Sequence, residues 1–162
     1  MKKLIALAAF VLAIATAASA QVPAGSGTLA GGDRLKVEGC GKDSGAISVA
    51  FTLGGNGTWT ANVAGDVYGG SSTTSGRVTS LTFDAASQSL LDSALEEAAS
   101  DLCEDDVTIN SLTLTQAKLK VSKRGDRAKL QVKARGTGVS SEGSGNGKYR
   151  LKATGTWQAL VP

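Results

Sequence analysis

Few side chains in this sequence can do chemistry, and their types matter more than their number. The 162 residues contain no histidine. A Ser-His-Asp triad, a Cys-His pair and an imidazole metal ligand are therefore excluded. The two cysteines, Cys40 and Cys103, cannot form a four-cysteine zinc site and lack the C-x-x-C spacing of a redox pair. The Gly/Ser stretch from Gly136 to Gly147 has no Gly-Lys-Ser/Thr ending and opens no helix, so it is not a P-loop. Neither Gly-x-Ser-x-Gly nor Ser-x-x-Lys occurs. Folding could bring together carboxylates such as Glu38, Asp66 and Asp84, but nothing in their spacing selects an acid/base pair. No catalytic residue, metal site or cofactor is expected.

What remains is chemistry of contact. The chain is 4% aromatic. Phe51, Trp59, Tyr149 and Trp157 alternate with polar neighbours on strand-like segments. They are therefore either the large residues of a core or the lining of a cavity. Lys118, Lys120, Lys129 and Lys133 form two rows, and Lys148, Arg150 and Lys152 a third. These cations also alternate with aliphatics, so one sheet face should be cationic. No aromatic is interleaved with them, which argues against nucleic acid as a partner. Charge is split along the chain. Residues 21–106 hold 4 basic and 12 acidic residues, and residues 107–162 hold 11 basic and 2 acidic. Asp101, Glu104, Asp105 and Asp106 gather at the end of a helical pattern, against the helix dipole, so pairing with the basic sheet is expected.

The elements that must position these residues are legible as periods. Residues 1–20 read as a signal peptide: Lys2 and Lys3, an apolar run from Leu4 to Ala15, then Ala18-Ser19-Ala20. Residues 21–33 are Gly-rich and aperiodic, and read as a flexible leader. Leu35 and Val37 begin a short strand that runs to Cys40. Ile47, Val49, Phe51 and Leu53 share one strand face, and Gly54-Gly55-Asn56-Gly57 turns the chain into a return strand bearing Trp59, Ala61 and Val63. Asn56-Gly57-Thr58 also matches a glycosylation sequon, for which the turn is sufficient reason. Strands at Asp66–Gly70 and Arg77–Phe83 flank a Ser/Thr/Gly turn.

Asp84 is a helix N-cap, and Leu90, Leu91, Ala94, Leu95, Ala98, Ala99 and Leu102 follow helical spacing, so a helix is expected over 85–102. Period two returns after Val107. The apolar face changes between Leu114 and Ala117, which predicts a β-bulge near Thr115. Strands Arg127–Arg135 and Lys148–Val161 then flank a Gly/Ser loop at 136–147. In an exported protein, Cys40 and Cys103 should pair, closing a loop worth roughly 4 kcal/mol in the chain-entropy picture.

Gly57-Thr58-Trp59 and Gly155-Thr156-Trp157 each place a Gly-x-Trp on a strand. In this the sequence resembles the lipocalin-like (calycin) barrels. The resemblance implies a Trp packed across one barrel end and a cavity holding a small apolar ligand. The order of elements differs, because the family's helix follows its barrel strands and here the helix divides them.

The expectation is a mainly β protein over 34–162. It is an antiparallel meander closing into a roughly eight-stranded lipocalin-like barrel, with an open β-sandwich as the alternative. It is expected to be exported to the periplasm or outside the cell, monomeric and not membrane-spanning, because the outward Lys and Arg do not suit an outer-membrane barrel. Its function is read as non-enzymatic binding of a small apolar or amphipathic ligand by Phe51, Trp59, Tyr149 and Trp157. The alternative is contact with an anionic envelope component, lipid or polysaccharide, through the cationic face.

Overall fold

The computed structural model describes residues 24–160. The proposed signal peptide lies outside them. Eight strands form a closed antiparallel meander: β1 (Gly25–Val37), β2 (Gly41–Leu53), β3 (Thr58–Val63), β4 (Asp66–Ser75), β5 (Val78–Phe83), β6 (Thr108–Val121), β7 (Arg127–Ser140) and β8 (Gly143–Thr156). β1 pairs with both β2 and β8, and that double pairing closes the barrel. A two-residue strand, β9 (Gln158–Ala159), continues beyond Trp157 along the start of β1. One helix, α1 (Ala85–Cys103), stands between β5 and β6.

Gly25–Gly32 corrects the expected leader. It is the first half of β1, hydrogen-bonded on both sides rather than flexible. Its glycines carry a barrel constraint. A Cβ at Gly31 would run into the carbonyl of Lys152, and one at Gly25 would lie 2.6 Å from the indole nitrogen of Trp157. β8 and the chain after it approach so closely at Gly25, Gly27 and Gly31 that these positions have no space for a side chain, while Leu29 and Leu35 beside them fill the core. The other Gly/Ser stretches follow suit. The expected turn at 70–76 is mostly β4, and the expected loop at 136–147 is the adjoining ends of β7 and β8.

Elsewhere the periods hold. Gly57 takes φ 79° in the β2–β3 turn, and Asn56 Oδ1 accepts from Thr58 N at 3.2 Å, an Asx turn. β6 shifts register between Leu114 and Gln116, the bulge expected from the change of face, and shifts again between Ile109 and Ser111. α1 begins at Asp84, whose carboxylate accepts from Ser87 N at 2.7 Å. Leu91, Leu95 and Ala99 form its buried stripe, and the next step of four along that stripe is Cys103, the partner of Cys40.

The barrel has two unlike ends. The turns between β2 and β3, β4 and β5, and β6 and β7 lie at one end with Trp157. The β1–β2, β3–β4 and β7–β8 turns lie at the other, together with α1. β5 pairs with β6 over only three residues, Val78–Ser80, so much of β6 has no strand on that side and α1 packs there.

Candidate functional site

The end with Trp157 is filled. Phe51, Trp59 and Trp157 are 1%, 3% and 4% exposed. The Phe51 and Trp59 rings stack at 5.7 Å with planes 3° apart, Phe83 meets Trp59 edge-on at 4.9 Å, and Trp157 tilts against Phe51 at 6.3 Å. Register explains the grouping: Leu53 faces Trp59 across β2–β3, and the chain after Thr156 crosses the start of β1. Trp59 Nε1 donates to the Thr82 carbonyl at 3.2 Å, whereas Trp157 Nε1 is buried without a partner. Phe51, Trp59 and Tyr149 border an interior cavity of about 70 Å³, which Trp157 does not reach. That is well below the roughly 300 Å³ at which small-molecule pockets begin.

The other end is lidded rather than filled. A cleft of about 340 Å³ lies between α1 and the barrel mouth. Its apolar walls come from Leu35 and Val37 of β1, Leu95 and Ala99 of α1, and Val107 and Ile109 at the start of β6. Glu38, Thr137, Glu142 and Lys148 give it a polar rim. Tyr149 borders both this cleft and the smaller cavity, so it stands between them. Its hydroxyl donates to Asp33 Oδ2 at 3.2 Å. Burial, with the Asp33 carboxylate beside it, holds the Tyr149 phenol well above its ordinary value. Burial likewise raises Tyr68, with Asp66 adding to the effect.

The lid is tied at several points. The Cys40–Cys103 disulfide joins its C-terminus to the β1–β2 turn, with Cα atoms 4.9 Å apart. Glu96 Oε2 accepts from Ile109 N at 2.8 Å, covering an amide of β6 that has no strand partner on that side. Gly69 N donates to Ser87 Oγ at 2.7 Å, which fixes the other end of the helix to β4. The acidic cluster after α1 differs from expectation. Asp105 does not meet the basic sheet; its carboxylate accepts from Ser141 N at 2.8 Å and Ser141 Oγ at 2.6 Å in the β7–β8 turn. Those bonds hold the Asp105 carboxyl below the ordinary carboxylate range. Two of the three carboxylates considered are committed locally: Asp84 caps α1, and Glu38 accepts from Asn146 Nδ2 at 3.0 Å.

The cationic residues occupy the outer wall. Lys118 and Lys120 of β6, Lys129 and Lys133 of β7, and Lys148, Arg150 and Lys152 of β8 all face outward, opposite the buried Leu119, Leu130, Val132, Leu151 and Ala153. Barrel closure adds three cations that the strand pattern did not reveal. Arg34 and Lys36 of β1 lie beside Arg150 and Lys148, and Lys42 of β2 lies beside Lys36. The signal for them was weak, because the glycines before Leu35 hid the extent of β1, and Gly39, Gly41 and Gly45 hid the start of β2, which carries Lys42.

Fold and site together define the class: an eight-stranded closed antiparallel barrel, filled with aromatics at one end and lidded by a disulfide-tethered helix at the other. Comparison with family models, curated proteins and solved structures finds no match to the chain. Among the described residues, no helix is long and apolar enough to cross a membrane, and no group of three or more Cys, Asp or Glu is placed to hold a metal ion.

Proposed function

We propose that this is an exported, lipocalin-like protein that binds a small amphipathic molecule at the lidded mouth of its barrel. The cleft under α1 carries the reading: at about 340 Å³ it lies at the lower end of small-molecule pockets, and its walls are apolar beneath a polar rim. Of the four aromatic positions that suggested a ligand site, Tyr149 is the one that borders this cleft. Phe51, Trp59 and Trp157 close the far end of the barrel, the role that the resemblance assigns to a barrel-end Trp. Binding is favoured over catalysis because the chain has no histidine and its two cysteines are joined to each other. The disulfide supports export, since such bonds persist in oxidising compartments.

The test is titration with 1-anilinonaphthalene-8-sulfonate, followed by displacement with decanoate. One molecule of probe per chain is expected. Ala99→Trp from the lid and Val139→Trp from β7, where Val139 also lines the cleft, should each weaken binding by roughly tenfold, the loss expected when a bulky ring occupies a pocket this small. Melting curves show whether each variant is folded. Folded variants that bind as tightly as the parent protein would overturn the proposal.

A further inference from the structure

The outer wall of β7, β8 and β1 carries like charges in direct register. Lys133 faces Arg150, and Arg150 faces Arg34, making one row across three strands. Arg135 faces Lys148, Lys148 faces Lys36, and Lys36 faces Lys42, making a second row across four. Lys120 facing Lys129 begins a third. Like charges directly opposite one another on a sheet face destabilise it. A wall built to be merely soluble would intersperse carboxylates. Yet no Asp or Glu occupies any outward position of β7, β8 or β1; the acids near them, Asp33, Glu38, Asp126 and Glu142, point inward or sit in turns. The chain has acids in plenty, and they lie elsewhere.

The geometry narrows the partner. Cations in a row recur at the strand spacing of about 4.8 Å, and the rows lie about 6.8 Å apart along the strands. Such a step suits a linear polymer with one charge per sugar unit lying across the strands. The wall is convex, so a planar membrane would touch only part of it. Its outward positions on the far side of the two rows hold Gln131, Thr154, Thr156, Thr28, Ala30 and Gly32. Val139, near the β7–β8 turn, is the one large apolar side chain these three strands expose, too little to enter a bilayer, and no aromatic is there to stack on a base. We infer that the β7–β8–β1 wall is a docking surface for a linear anionic polysaccharide, read through Lys133, Arg150 and Arg34 in one row and Arg135, Lys148 and Lys36 in the next.

The experiment measures binding of the folded protein to polygalacturonate. Two parallel arms use vesicles of equimolar phosphatidylglycerol and phosphatidylethanolamine, and a single-stranded oligonucleotide. Two triple variants remove the same charge. Arg34→Ala/Lys36→Ala/Arg150→Ala strips the wall, and Arg77→Ala/Lys123→Ala/Arg124→Ala strips the turns at the filled end. The parent should bind polygalacturonate in preference to the other two, with affinity falling steeply as salt rises. The wall variant should lose roughly tenfold or more and show a shallower salt slope, while the turn variant loses less than about twofold. Equal losses in the two variants would show that net charge alone acts and would overturn the inference. Tighter binding to vesicles or to the oligonucleotide would also overturn it. None of the wall substitutions lines the cleft under α1, so this test is independent of the ligand proposal.

Discussion

The two ends of the barrel solve the same problem with different materials. A closed sheet of eight strands leaves two openings through which water can reach the core. At one end Phe51, Trp59, Phe83 and Trp157 meet ring against ring, and the cavity between these rings and the rest of the core is only about 70 Å³. At the other end the walls are mostly aliphatic with Tyr149 as the one aromatic lining the cleft, β6 has lost its neighbour over much of its length, and a helix has been drawn across. The first end is held by packing, which is close and continuous. The second is held by a few discrete ties: a disulfide, Glu96 on Ile109, Asp105 on Ser141 and Ser87 on Gly69. Packed rings leave little room, whereas a tethered lid leaves a cleft. Space for a ligand follows from the choice of closure.

The largest effect should come from the packed end. Trp59→Ala removes the ring that touches both Phe51 and Phe83, and is expected to destabilise the fold by about 3–5 kcal/mol in urea unfolding. A loss below about 1 kcal/mol would mean that the aromatic end is not what holds the barrel closed. Next, replacing both cysteines with serine should cost about 2–4 kcal/mol, because 63 residues separate them in sequence and the unfolded chain regains that loop's freedom. Here the contrast between the ends should be visible residue by residue. Amide exchange should quicken through α1 and the start of β6 and stay slow in β2 and β3. Uniform quickening would erase the distinction between packed and tethered closure.

The smallest effect is in pH. Hydrogen bonds from Ser141 depress the Asp105 carboxyl in the folded state. The lid tie is therefore fully present above the unfolded Asp value of about 3.9, and is lost as pH falls through the lower folded value. Asp105→Asn should make the melting temperature less sensitive to pH below about 4, and parallel pH profiles for parent and variant would show that the tie does not contribute.

Legibility in the sequence followed the range of the interaction. The β2–β3 hairpin was readable because Gly54-Gly55-Asn56-Gly57 is a local turn between two alternating runs. The helix was readable from its cap and its apolar period, and the β6 bulge from a single change of face. Errors gathered at glycine. Gly25–Gly32 and most of the segments assigned as a turn at 70–76 and a loop at 136–147 are strand; glycine reads as freedom in a sequence, but at Gly25, Gly27, Gly31, Gly70 and Gly136 it answers the close approach of a neighbouring backbone or side chain. The aromatic positions were legible as inward-facing, but not their gathering at one end, which depends on the register of β2 on β3 and on where the chain crosses β1 after Thr156.

The residues alone determined the mainly β architecture, the helix between β5 and β6, the one available disulfide and the lack of any histidine chemistry. Those follow from composition, period and the pairing of two cysteines, none of which depends on distant contacts. Only the tertiary structure decided that β1 lies between β2 and β8. That closure joins segments more than a hundred residues apart, and no local propensity encodes it. It converts the cationic strands into a wall that includes Arg34, Lys36 and Lys42, and it forms the mouth across which α1 is tied. The cleft and the charged wall are both products of closing the sheet.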